Sequence, residues 1–252
     1  MKTIFITGAA QGIGLATARH FASQGWYVGL YDINIDGLNA LLESGDFPNA
    51  CAAHCDVIDR ASIEAAISHF AENTKGAMNV LLNNAGVLSA GKFEEISPQA
   101  HDLITDVNVK GFTHVAQAAF PLLKATPGAV MVNLCSASSI YGIPNLAVYS
   151  ASKFYVRGLT EALNIEWAAH DIRVTCVKPP VVNTAMGNVV SAQTSQKLGS
   201  GMQPDYVAKA IQIAVDGSRV GYVLGTSTKL WALLDKWLPE FARRKLVGYL
   251  AG

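Results

Sequence analysis

The chain has 252 residues, 50% of them hydrophobic and only 15% charged, which is enough apolar material for a large core and excludes intrinsic disorder. Lysine and arginine (19) balance aspartate and glutamate (19), so no basic face for a phosphodiester backbone is implied and nucleic acid is not an expected partner. No uninterrupted apolar run reaches the roughly 18 residues of a membrane-spanning helix. The opening MKTIFITGAAQGIG ends its short apolar run in glycines and lacks the core and cleavage site of a signal peptide. Cys51, Cys55, Cys135 and Cys176 sit mostly in apolar, strand-like runs without metal-finger spacing. They are expected as buried free thiols in a reducing cytoplasm.

Short β-branched runs alternate with longer stretches of helical periodicity. Strands are expected at 2–7, 27–32, 50–56, 80–83, 129–134 and 174–178, and helices at 13–24, 35–44, 61–73, 98–125 and 148–170. Strands separated by helices this long cannot be hairpins; they require right-handed crossovers and a parallel sheet covered on both faces. One doubly wound α/β domain is expected. Residues 181–203, rich in Asn, Ser, Thr, Gln and Gly, read as a lid or binding loop. In the tail, 229–250, Leu230, Leu233, Leu234, Trp237, Leu238 and Phe241 fall on one helical face, and Pro239 restarts a second helix.

The first chemical signal is Thr7, Gly8, Ala9, Ala10, Gln11, Gly12, Ile13 and Gly14, between the first strand and the first helix. Glycines there let backbone approach a pyrophosphate, which rests on the helix N-terminus where amides point outward. The strand–loop–helix context favours this over a structural turn, with the spacing G-x-x-x-G-x-G. Asp32 ends the second strand, flanked by Tyr31, Ile33 and Asn34 with no cation beside it. An acid there either caps the next turn or accepts from ribose hydroxyls and repels a 2′-phosphate; the second role selects NAD over NADP.

Tyr149 and Lys153 stand at i and i+4, on one helix face. A free phenol titrates near pH ~10, and a neighbouring ammonium is expected to lower that value and make Tyr149 a usable acid and base. Alone, the pair is common on solvated helices.

It does not stand alone. The run from Thr7 to Gly14, then Asp32, Asp56, Asn83, Asn84, Ala85, Gly86, Asn108, Ser136, Tyr149, Lys153 and Thr184 resembles the short-chain dehydrogenase/reductase family, in its order and at its spacings. The resemblance spans roughly residues 1–225 and implies a Rossmann-type catalytic domain over 1–228, with 229–252 as an apolar helical extension.

The resemblance also implies roles. Tyr149 is the acid/base toward the substrate oxygen, and Lys153 lowers its pKa and holds the nicotinamide ribose. Ser136 steadies the substrate oxygen, and Asn108 organises a water chain that carries the proton to solvent. Gly8, Gln11, Gly12, Ile13 and Gly14 hold the NAD cofactor together with Asp32 and Ile33. Asp56 and Val57 meet its adenine, and Asn84, Ala85 and Gly86 line the cleft. Val182 and Thr184 lie at the nicotinamide, with Thr184 on its carboxamide. Spacing favours Ser136 over Ser138 and Ser139, which satisfy local backbone or rim the pocket. Pro180 replaces the family's glycine and puts the geometry of the following residues in question. No metal is expected, because the six histidines are scattered.

The segments that would face the nicotinamide are apolar: Leu88, Ile140, Tyr141, Ile143, Val181, Met186 and Val189, with no arginine or lysine nearby. A neutral, hydrophobic secondary alcohol or ketone fits, such as a hydroxysteroid, retinoid-like or fatty alcohol; sugars and 2-hydroxy acids fit less well. The alternatives are an NADP-dependent carbonyl reductase, which needs a basic residue to offset Asp32, and a catalytically idle NAD sensor or scaffold. By resemblance a homodimer or homotetramer forms through the helices near 98–125 and 148–170, where Ala116, Ala118, Ala119, Ala162, Ala168 and Ala169 allow close contact. The tail supports three readings: packing on the domain or a partner subunit, capping the substrate pocket, or lying on a membrane surface. The last draws on Trp231, Trp237, Lys236, Arg243, Arg244 and Lys245.

Overall fold

Strands that are apolar at every position make sense only if both faces of the sheet are covered. In β1 (Thr3–Thr7), Ile4 and Ile6 enter one core while Phe5 enters the other. The same alternation sends Val80 and Leu82 of β4 (Val80–Asn83) one way and Leu81 the other. The computed structural model describes residues 1–190, 201–235 and 237–251.

Seven parallel strands run in the order β3-β2-β1-β4-β5-β6-β7, which makes a Rossmann-type α/β domain. The others are β2 (Tyr27–Asp32), β3 (Ala50–His54), β5 (Val130–Leu134), β6 (Arg173–Lys178) and β7 (Gly221–Val223). Register pairs Ile4 with both Val28 and Val80, and Val80 with Val130. β7 is absent from the pattern-based expectation because three residues are too short to show a period.

Helices α1 (Gly12–Ala22), α2 (Ile35–Glu43) and α7 (Pro204–Asp216) cover one face through Ala18, Phe21, Leu38, Val207 and Ile211. On the other lie α3 (Arg60–Thr74), α5 (Phe112–Ala125) and α6 (Ala147–Glu166), with Ile63, Phe70, Val115 and Leu123 buried. The long helix expected at 98–125 is α4 (Pro98–Thr105) and α5 joined by a π-helical stretch, Asp106–Gly111. Ala116 and Ala119 turn inward into the core, because their helical phase matches Val115 and Leu123; they are not available for contact between copies. All four cysteines are free and buried.

The expected loop at 181–203 is described only in part, since 191–200 lie outside the described residues. Its first part forms a short 3₁₀ turn, Gly187–Val189, and Val182 bridges to Met202. The tail forms α8 (Thr226–Leu234) and α9 (Glu240–Ala251), with Pro239 just before the second helix. Among the described residues no helix is long and apolar enough to cross a membrane.

Candidate active site

Strand order reverses between β1 and β4, and a crevice opens there at the carboxyl ends of the strands. A cavity of about 710 Å³ fills it, running from Asp32 and Asp56 past Gly12 to Tyr149 and on to Trp231.

Its first end is built from backbone. Gly8 and Gly12 hold left-handed φ values of +67° and +57°, a conformation that favours glycine. Gly14 does not line the cavity: a Cβ there would stand 2.0 Å from the Gly8 carbonyl oxygen, so its bare backbone lets the helix pack under the loop. Asn84 clamps the loop from the next strand, its Nδ2 donating to the carbonyls of Thr7 (2.8 Å) and Gly8 (3.1 Å). Thr7, a residue that sequence reasoning left without a role of its own, accepts at Oγ1 from the backbone N–H of Asn84 (2.9 Å) and Ala85 (3.0 Å). Its only sequence signal is a hydroxyl at the end of an apolar strand.

Asp32 accepts from the Ala10 amide (2.9 Å) and the Asn34 amide (3.0 Å), so its carboxylate is fixed at the rim. Each of its oxygens keeps a second lone pair for a ligand hydroxyl. Gln11, Ile13, Ile33, Asp56, Val57, Ala85 and Gly86 also line the cavity. The Thr184 side chain faces Gly12 across the cleft, 3.3 Å from where a Cβ would sit, and Val182 lines the same wall. Thr184 thus reaches the cleft although Pro180 precedes it; its Oγ1 accepts from the Gly187 amide (3.1 Å). A glycine cradle at a helix N-terminus, with a carboxylate beyond it, fits a dinucleotide in shape and in donor set.

At the middle of the cavity stand Ser136, Tyr149 and Lys153. The Ser136 Oγ accepts from the Ser138 amide (3.1 Å), so its own proton is available to the Tyr149 oxygen or to a ligand. Ser139 donates to the Ser136 carbonyl (2.7 Å), a local role, whereas the buried Ser138 hydroxyl lines the cavity without a partner among the described residues. Lys153 is buried, with Nζ donating to the Leu134 carbonyl (3.0 Å) and lying 5.0 Å above the Phe112 ring and 5.6 Å from that of Tyr149.

Burial pushes the Tyr149 phenol up to about 12, against a hydrogen bond with Ser136 that pulls it down. The phenol thus stands above its ordinary value and not below it as expected, because loss of solvent, with Cys135 acting in the same sense, outweighs the hydrogen bond. The same loss of solvent brings the Lys153 ammonium down to about 8, while Cys135 beside it acts in the opposite sense.

Asn108 does not reach the cavity. Fully buried in the π-helical stretch, it accepts from the Val87 amide (2.9 Å) and donates to the Val87 carbonyl (2.9 Å) and the Ser152 hydroxyl (3.2 Å). Ser152 in turn donates to the Tyr149 carbonyl (2.7 Å), so Asn108 ties the loop after β4 to the helix that carries Tyr149.

The far end is apolar. Leu88, Ile143, Val181 and Met186 line it as expected, whereas Ile140, Tyr141 and Val189 do not. Val189 faces solvent, and Tyr141 packs edge-on to Trp231, with ring centroids 6.3 Å apart. Leu230, Trp231 and Leu234 of α8 and Val247 of α9 complete the wall, so the tail caps the cavity. Helical spacing gave the tail's apolar face but not its partner. Among the described residues the only charged groups on the lining are Asp32, Asp56 and Lys153. No group of side chains suited to a metal occurs among them.

This fold and this cleft are those of a nucleotide-binding oxidoreductase, and the chain belongs to the short-chain dehydrogenase family. That family's model, short chain dehydrogenase, matches residues 2–195. A D-threitol dehydrogenase of Mycolicibacterium smegmatis is 34% identical over 189 residues, 74% of this chain and 72% of its own. A 3alpha-hydroxysteroid dehydrogenase of Mediterraneibacter gnavus is 34% identical over 189 residues, 73% of this chain and 75% of its own. Among solved structures, a 3-ketoacyl-(acyl-carrier-protein) reductase from Brucella melitensis complexed with NADH superposes with a TM-score of 0.82 at 27% identity, covering 90% of this chain and 98% of its own. The chain is therefore an oxidoreductase of that family, and among the solved structures of this fold one holds NADH and an alcohol dehydrogenase from Thermococcus sibiricus holds 5-hydroxy-NADP.

Proposed function

We propose that the protein interconverts a neutral, hydrophobic secondary alcohol and its ketone, with NAD(H) as the hydride carrier and Tyr149 as acid/base. The observation that carries this reading is one continuous cavity with Asp32 at one end, Ser136, Tyr149 and Lys153 in the middle, and apolar side chains at the other. The glycine run, Asp32, Ile33, Asp56, Val57, Asn84, Ala85, Gly86, Val182 and Thr184 would hold the dinucleotide, whose nicotinamide supplies or accepts the hydride when bound.

The chain's own residues handle the proton. Ser136 turns its proton to the substrate oxygen and holds that oxygen beside Tyr149. Tyr149 passes a proton to that oxygen during reduction and takes it back during oxidation. The Lys153 charge favours the phenolate left behind. Asn108 keeps Val87 and the Tyr149 helix in register.

Asp32 supports NAD over NADP: a fixed carboxylate with no ion-pair partner among the described residues repels a 2′-phosphate. Relatives acting on a tetritol and on a steroid leave the substrate open by likeness. The apolar wall favours the steroid-like or fatty end of that range. Buried free thiols fit a cytoplasmic setting. A homodimer or homotetramer is supported by Phe154, Tyr155 and Ile165, exposed on α6.

Tryptophan fluorescence titrations with NAD, NADH, NADP and NADPH, followed by absorbance assays with apolar alcohols and ketones, test the reading. Tight NADH binding with turnover that disappears in Tyr149→Phe supports it. Preference for NADPH overturns the role given to Asp32, and binding without turnover on any substrate points to a sensor.

A further inference from the structure

The tail has two apolar sides, and the cavity uses only one. Trp231 and Val247 turn inward, and Val247 packs with Ile143 and Leu146. On the outer side Trp237 is 82% exposed, Phe241 69% and Leu233 57%. Leu230 and Leu234 belong to both sides: they line the cavity and are themselves exposed, so the outer apolar face continues into the rim of the pocket.

Charge distinguishes this surface from an ordinary subunit contact. Residues 226–252 carry five cations (Lys229, Lys236, Arg243, Arg244, Lys245) and two carboxylates (Asp235, Glu240), a positive segment on a chain of zero net charge. Asp235 is spent on Arg243, at 3.5 Å, in a contact that ties the segment after α8 to α9. Lys229, Arg244 and Lys245 are exposed and make no ion pair among the described residues. Two copies meeting through this face would bring two positive segments together. An anionic surface instead meets both the cations and the aromatic side chains.

We propose that α8 and α9 dock the protein on an anionic lipid bilayer, with Trp237, Phe241 and Leu233 entering the interface and the pocket rim at Leu230 and Leu234 turned toward the lipid. The bilayer is contacted from one side and not crossed. An apolar substrate dissolved in the membrane then reaches the cavity without passing through water.

Sedimentation of the full-length protein with vesicles tests this without knowledge of the substrate. One set is phosphatidylcholine alone, the other phosphatidylcholine with phosphatidylserine. The protein is expected to pellet with the mixed vesicles, to pellet less with phosphatidylcholine alone, and to be released by salt. Arg244→Glu should weaken binding at least about fivefold, as expected for a cation near an anionic surface. Trp237→Glu should remove the protein from the pellet while its far-UV dichroism and dinucleotide binding stay those of the parent. A protein that stays in the supernatant with both vesicle sets overturns the proposal. So does a Trp237→Glu variant that pellets like the parent, or one that instead dissociates an oligomer on size exclusion, which would make the face a subunit contact.

Discussion

The two ends of the cavity are built from different materials. At the Asp32 end the surface is backbone and short polar side chains: Gly8 and Gly12, the Asn84 amide and the Asp32 carboxylate, with Asn84 bonded to Thr7 and Gly8 and Asp32 bonded to the Ala10 amide. At the other end large apolar side chains make the wall, with Leu88, Ile143, Met186, Trp231 and Val247 drawn from five segments of the chain. A backbone surface tolerates little change because every atom is shared with the fold. A side-chain wall can be altered one residue at a time while the sheet stays intact. One ligand can thus be common to a family while the other differs between members.

The comparison can be tested at four strengths. Tyr149, where the two ends meet, carries the largest expected effect: Tyr149→Phe should lower turnover by about a thousandfold, the scale of a lost general acid/base, with dinucleotide affinity unchanged. A parallel loss of affinity would show that the residue serves the fold. Next comes Gly14→Ala, whose Cβ would collide with the backbone carbonyl of Gly8 at 2.0 Å. Nothing flexible is there to yield, so denaturant unfolding should register a loss of about 3 kcal/mol, accompanied by weakened NADH binding.

Trp231→Ala sharpens the contrast from the other side. Removing this ring should raise KM for apolar substrates about tenfold while leaving NADH binding as it was, because the ring packs against Ile143, Leu146 and Val247. Steady-state kinetics with fluorescence titration would separate the two quantities. The smallest effect concerns pH. The folded Lys153 loses its proton near pH 8, whereas the unfolded side chain keeps it to 10.5. Between those values the unfolded chain binds more protons, so this group makes stability rise with pH. Below that window both states are protonated and its contribution is constant. Melting temperatures of the parent should therefore gain on those of Lys153→Met across pH 8 to 10.5.

The Asp32 end of the cavity follows element boundaries. Gly8, Asp32 and Asp56 sit at or just past strand ends and Gly12 opens a helix, and such boundaries are local events that composition and period reveal. The α/β alternation was legible for the same reason. Asn108 was harder to read: its place in the series says that it matters, but only the packed structure shows its side chain spent on Val87 and Ser152. Gly14 likewise proved to be a packing residue beneath the loop. Ala116 and Ala119 looked like contact residues because small side chains carry no information on which way a helix faces.

The tail marks the boundary most sharply. Its helices and the break before Glu240 follow from periodicity and Pro239, both properties of neighbours in the chain. That Val247 meets Ile143 and Leu146 does not, because hydrophobic attraction has no direction and an apolar stripe packs equally well on a core, a pocket or a bilayer. Local sequence therefore dictated the doubly wound sheet, the glycine cradle and the Tyr149–Lys153 pairing, whose geometry is carried by backbone period. The substrate wall and the burial that raises Tyr149 and lowers Lys153 arose only on folding, because each depends on segments brought together across the length of the chain.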